Sequence, residues 1–176
     1  MPGLEIPLVL IAILAGTLAV TSAGRGAWVA IAVLALSSSA LEFSVADPNR
    51  IGLALRLSAI GIGLVAALPE NLFEFEALRR DLALRSLIRT LREHPVVVAS
   101  AIAGLLLGLV PLALPIESSS DALRAAGIAL LVVGLPPLLT SRFIEATTRA
   151  AVVTLAGTML LRTSIFGALD PLAALA

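Results

Sequence analysis

Residues 79–95 read RRDLALRSLIRTLREHP, and the reading of this stretch decides the fold. It holds five of the twelve arginines (Arg79, Arg80, Arg85, Arg89 and Arg92) and lies between two long apolar runs. An arginine-rich segment between runs of membrane length belongs at a headgroup surface, with the chain entering lipid on either side of it. Within the connector the apolar residues change face. Phe75, Leu78 and Leu82 share one side of a helical wheel, while Leu84, Leu87, Ile88 and Leu91 fall nearly opposite. A single straight surface helix buries only one such stripe, so two short amphipathic helices with a bend near Ala83 are expected. One stripe rests on lipid. The second, Leu84 to Leu91, is the expected docking face for protein.

Composition agrees with that reading. The chain is 59% apolar and only 14% charged, with a mean hydropathy of +1.07, well outside the range of soluble domains. Its 176 residues leave room for one membrane domain and little else. Twelve acids balance twelve bases, which gives no general attraction to nucleic acid. Every base is arginine, a bias best read as genomic. Cysteine is absent, so disulfides, haem attachment, iron–sulfur ligation and thiol chemistry cannot come from this chain. The single histidine, His94, cannot supply a two-histidine haem site or a histidine metal cluster. Neither a cofactor nor a metal is expected.

Outward from the connector, six spans are predicted: about 6–22, 27–45, 51–68, 95–114, 122–139 and 144–161. The fold class expected is an all-α polytopic membrane protein, with the amphipathic connector of residues 70–94 joining spans three and four. The first span follows Met1-Pro-Gly-Leu-Glu5 with no basic segment before it, unlike a cleaved signal peptide. Ser37, Ser38 and Ser39 in span two are expected to bond back to the preceding turn's carbonyls. Gly104 and Gly108 share a face of span four, and Pro111 and Pro115 loosen its end. Pro136-Pro137 should kink span five or end its regular part. The sixth span is the shortest apolar run, Ala150 to Leu161, against the roughly 20 residues that cross a bilayer. Placing the connections on alternate sides gathers Arg25, the connector arginines and Arg142 on one side, with Arg149 nearby. By the positive-inside rule that side faces the cytoplasm and the N-terminus lies outside.

The informative residues are charges at membrane depth. Arg56 sits roughly 7 to 8 Å of helix rise into span three. Its plainer role is snorkelling to the near interface beside Asp47 or Glu42. A buried ion pair in an ion path and a contact with another subunit are the alternatives. Glu145 and Arg149 are four apart in the favourable acid-first order, so a structural ion pair is expected. Glu70 and Glu74 stand at the cytoplasmic mouth of span three, as a solvated cluster neutralised by arginines or, alternatively, as collectors of protons or cations. No Asp, Glu or His lies mid-span, where a self-sufficient pump usually carries one. No nucleophile has a placed base, and no ligand set has metal spacing.

The arginine-bearing connector, the kinked fifth span and the basic break after it resemble small membrane-arm subunits of a wider superfamily. It includes complex-I-like membrane hydrogenases, respiratory NADH dehydrogenase and multisubunit sodium/proton antiporters. The segment LLTSRFIEATTRAAVVTLAG, Leu138 to Gly157, looks most like the penultimate turn and last helix of such a subunit. This chain departs from the pattern in having no lysine and in placing Glu145 at the start of its helix, so no catalytic role carries over. The resemblance implies a packing and ion-path-lining subunit of an energy-converting assembly, with other integral membrane subunits and the lipid bilayer as partners. A small transporter or channel, acting alone or as a homo-oligomer, is the other class open to this sequence.

Overall fold

The computed structural model describes residues 5–22, 24–45, 60–61, 84–109 and 120–166. They are all-helical, with no strand among the described residues. Six helices are defined: α1 Glu5–Thr21, α2 Arg25–Val45, α3 Leu84–Glu93, α4 Pro95–Leu109, α5 Asp121–Thr140 and α6 Ile144–Phe166. Ile60 and Gly61 are helical too, inside the third predicted span; the rest of that span and connector residues 70–83 lie outside the described residues.

Each boundary has a local cause. Glu5 puts a carboxylate in the first turn of α1, where the helix dipole favours it. Gly24 links α1 to α2 at φ 66°, a left-handed conformation that a side chain resists. Ser120 caps α5 by accepting from the Leu123 N–H at 3.4 Å. Pro136 and Pro137 do not end α5; the helix continues to Thr140, and the Ser141 N–H then closes on the Pro137 carbonyl. The pair lies near the C-terminal end of the helix, where neither proline can donate to the carbonyl four residues earlier, at Val132 and Val133.

The sixth helix is longer than its apolar run suggests, 23 residues from Ile144 to Phe166. Hydroxyl side chains make that possible. Thr147, Thr148, Thr154 and Thr163 each donate to the carbonyl four residues earlier, so none arrives in the apolar environment with an unmet proton. The serines of α2 behave as expected: Ser37 and Ser39 reach the Val33 and Ala35 carbonyls at 2.8 and 2.7 Å.

The bundle is built on α5, which packs most extensively on α6 and α4 and also meets α1. Small residues permit that approach. A Cβ added to Gly104 would lie 2.7 Å from Ala129 Cα, and one added to Gly108 would lie 2.4 Å from Ala125 Cα. Gly127 and Gly157 meet in the same way across α5 and α6. Such contacts let the helix backbones approach closely. Leu34, Leu41, Leu123, Leu130 and Leu160 fill the interior with Val133 and Val153. Large apolar side chains such as Leu10, Ile102, Leu106 and Leu155 point outward.

These pairings fix the directions. Gly108 opposite Ala125 and Gly104 opposite Ala129 make α4 antiparallel to α5. Gly127 against Leu161 and Gly134 against Thr154 do the same for α5 and α6. Helices α1 and α5 therefore run one way, and α2, α4 and α6 the other. The α1–α2 turn, the α3–α4 junction and the α5–α6 turn share one end, hereafter the basic end. Glu42, Gly108, Ser120 and Thr163 share the other.

Among the described residues three helices are long and apolar enough to cross a membrane, over Arg25–Phe43, Asp121–Thr140 and Ile144–Ile165. Two shorter apolar helices, α1 and α4, have 17 and 15 residues. At 1.5 Å per residue the described part of α4 covers roughly 22 Å, less than the hydrocarbon thickness of about 30 Å. The remainder of the fourth predicted span, residues 110–114, lies outside the described residues.

Candidate functional site

Charged and polar side chains enter the interior at both ends of the bundle. At the end opposite the basic one, α5 begins beside the last turn of α4. Arg124 is only 4% exposed. Its Nε donates to the Gly108 carbonyl at 3.0 Å, and its Nη2 lies 2.9 Å from Asp121 Oδ1. One side chain thus holds a carbonyl of the last α4 turn and draws charge from the first turn of its own helix. Ser164, fully buried, donates to the Ser120 carbonyl at 3.4 Å and ties the end of α6 to the same corner.

Glu42 enters this end from α2 and is 8% exposed, the one buried acid among the described residues. The Thr163 hydroxyl stands 3.5 Å from Glu42 Oε1 and 3.0 Å from the Met159 carbonyl. One hydroxyl proton serves those two acceptors, so the shorter contact holds it more firmly. Glu42 makes further contacts beyond this one. The Thr163 contact brings α2 and α6 together at this end.

At the basic end Arg149 is 8% exposed and turns to backbone oxygens. Its Nε donates to the Glu145 carbonyl at 3.3 Å, and its Nη1 donates to the Ser22 carbonyl at the end of α1. The ion pair expected from the four-residue spacing is therefore replaced. Glu145 is exposed, and the guanidinium takes the Glu145 carbonyl in place of its carboxylate. A last-turn carbonyl of α1 has no amide of its own to accept from, which makes it a strong acceptor for a buried cation.

The predicted site residues are accordingly dispersed. Arg56 and Glu70 lie outside the described residues. Glu42 and Arg149 are buried at opposite ends, and Glu145 faces outward. In the connector stripe, Leu84 and Leu87 belong to α3, but their side chains lie outside the described set. Leu91 packs on the bundle core, whereas Ile88 is 57% exposed. Part of the stripe expected to meet another protein is thus spent on this chain's own helices.

Arg124, Thr163 and Ser164 were not singled out by the sequence. Arg124 falls near the start of the fifth predicted span, and only the crossing of α4 over α5 reveals what it binds. A helix-start arginine three residues after an aspartate is a faint local signal. A guanidinium offers hydrogen-bond donors and no acceptor, and Arg124 and Arg149 both use them on backbone carbonyls. Among the described residues, no group of three or more His, Cys, Asp and Glu has the geometry to hold a metal ion. No family model matches the chain, and neither a curated protein nor a solved structure does.

Proposed function

We propose that this chain is a non-catalytic integral membrane subunit of a multisubunit energy-converting or ion-translocating complex. It crosses the cytoplasmic membrane as a six-span protein, with residues 70–94 in the cytoplasm and the N-terminus outside. The observation that carries this reading is the use made of the buried arginines. Arg124 and Arg149 both donate to carbonyls near the ends of other helices, α4 and α1, so the expensive charges hold helices together. Outward-facing apolar side chains on α1, α4 and α6 supply surface for lipid and for neighbouring subunits. The resemblance of Leu138–Gly157 to membrane-arm subunits supports the same assignment.

A second reading has one observation in its favour. Glu42, buried against Thr163, is the kind of carboxylate that an ion path through a small transporter or homo-oligomeric channel would use. Native mass measurement after extraction in mild detergent separates the two. Unlike membrane subunits in fixed stoichiometry are expected; a lone chain or a homo-oligomer would overturn the subunit reading and favour the transporter.

A further inference from the structure

We propose that the basic end of the bundle is a docking surface for anionic phospholipid headgroups, formed by α3 and the α5–α6 turn. The proposal rests on the membrane reading above and adds to it a preferred lipid chemistry and the residues that recognise it.

The first observation is how α3 divides its apolar stripe. Leu91 turns inward onto the bundle core, while Ile88 turns outward at 57% exposure. Arg92 follows Ile88 by one helical turn on the same side and is exposed. The neighbouring Arg89 is already engaged, its Nε 2.8 Å from Glu93 Oε1. A helix with one edge on protein and the other presenting an apolar side chain below an arginine matches the layering of a bilayer interface.

The second observation is independent and lies at the same end. In the α5–α6 turn, Leu139, Phe143 and Ile144 are 80%, 78% and 87% exposed, among the most exposed large apolar side chains described. Arg142 stands exposed between them. Three large apolar groups around a guanidinium suit acyl chains beneath a phosphate, to which arginine binds through a planar fork. An acidic protein surface would match the arginines and leave those apolar groups in water.

Charge is distributed accordingly. Among the described residues the basic end carries Arg25, Arg89, Arg92, Arg142 and Arg149 against Glu93 and Glu145, with His94 exposed beside Glu93. The opposite end carries Glu42, Asp121, Arg124 and Arg162, together with Glu5 at the start of α1. A basic juxtamembrane surface of this kind attracts anionic lipid at about 1 kcal/mol for each arginine, equivalent to about fivefold in occupancy.

The test uses the full chain in nanodiscs made from an equal mixture of phosphatidylcholine and phosphatidylglycerol. Lipids that remain with the protein after gentle extraction are counted by headgroup with mass spectrometry. Wild type is expected to enrich phosphatidylglycerol over the bulk ratio. Arg92→Gln and Arg142→Gln should each lower that enrichment by up to about fivefold. Arg162→Gln, exposed at the opposite end, should leave it unchanged. Enrichment that survives the Arg92/Arg142 double change, or falls equally in Arg162→Gln, overturns the proposal. Insertion without any headgroup preference overturns it too and leaves the membrane reading standing. Failure to insert into either the mixture or phosphatidylcholine alone overturns both.

Discussion

Gly108→Ala probes the crossing of α4 and α5 and, through it, the role of Arg124. The added Cβ would fall 2.4 Å from Ala125 Cα and 3.2 Å from Ala125 N, where ordinary contact begins at 3.4 Å. Both obstacles are backbone, which no rotamer can move aside. The two helices must therefore part by about 1 Å at this point, a strain of about 1–3 kcal/mol on the scale of overpacked interiors. The same shift stretches the 3.0 Å bond from Arg124 Nε to the Gly108 carbonyl and removes about 1 kcal/mol more. Alanine's better helix propensity returns about 1 kcal/mol, so a net loss of about 1–3 kcal/mol is expected. Titration of the purified chain with sodium dodecyl sulfate in mixed micelles reads this directly. Gly16→Ala is the matched control, because its Cβ also meets an atom at 2.4 Å, but that atom is Leu130 Cδ2, the movable tip of a side chain. Gly61→Ala meets nothing within 4 Å and should be neutral or slightly stabilising. Equal effects of Gly108→Ala and Gly16→Ala would refute the claim that backbone contact sets the α4–α5 distance.

Arg124→Met keeps the bulk of the side chain but removes the donor to Gly108, so a loss of about 1–3 kcal/mol is expected in the same titration. A variant more stable than wild type would show that desolvating the guanidinium costs more than its contacts return. Gly24→Ala forces a side chain into the left-handed region at φ 66° and should lower stability by about 1 kcal/mol, with no steric clash to confuse the reading. Glu42→Gln retains an oxygen for the Thr163 hydroxyl, and on the subunit reading the pH profile of reconstituted proton flux should match wild type. A shifted profile with assembly intact would move the balance to the transporter reading.

What the sequence made legible and what it hid divide along physical lines. Helices α1, α2, α4 and α5 start within two residues of their predicted positions, because apolar runs broken by glycine, proline and Asx residues are local signals. The bend expected near Ala83 lies outside the described residues, of which α3 is the part from Leu84 to Glu93. The far end of α6 escaped because Arg162, Thr163 and Ser164 read as a boundary. Hydrogen bonds from Thr163 to Met159 and Glu42 and from Ser164 to Ser120 make those two compatible with the helix interior, and Arg162 faces outward. Of the two outcomes expected at Pro136 and Pro137, a kink or an end, the helix does not end there but continues to Thr140. The site residues were hardest, since their partners are remote. Arg149 is four residues from Glu145 but donates to Ser22, 127 positions away, and no local pattern can announce that contact. The glycine ladder of α4 was visible as Gly104 and Gly108. Their closeness to Ala129 and Ala125 was not, as small residues recur by chance in an alanine-rich chain.

Cysteine accessibility across the membrane tests the central claim most directly. The chain has no cysteine of its own, so single replacements at Arg92, Asp121 and Arg142 give a background-free readout. All three positions are exposed, and they mark successive ends of α4, α5 and α6. With a membrane-impermeant thiol reagent on oriented vesicles, the account expects Arg92→Cys and Arg142→Cys to label from the cytoplasmic face only. Asp121→Cys should label from the outer face only. Labelling of all three from one face would contradict the crossing of α4 and α5 and, with them, the membrane bundle proposed for this chain.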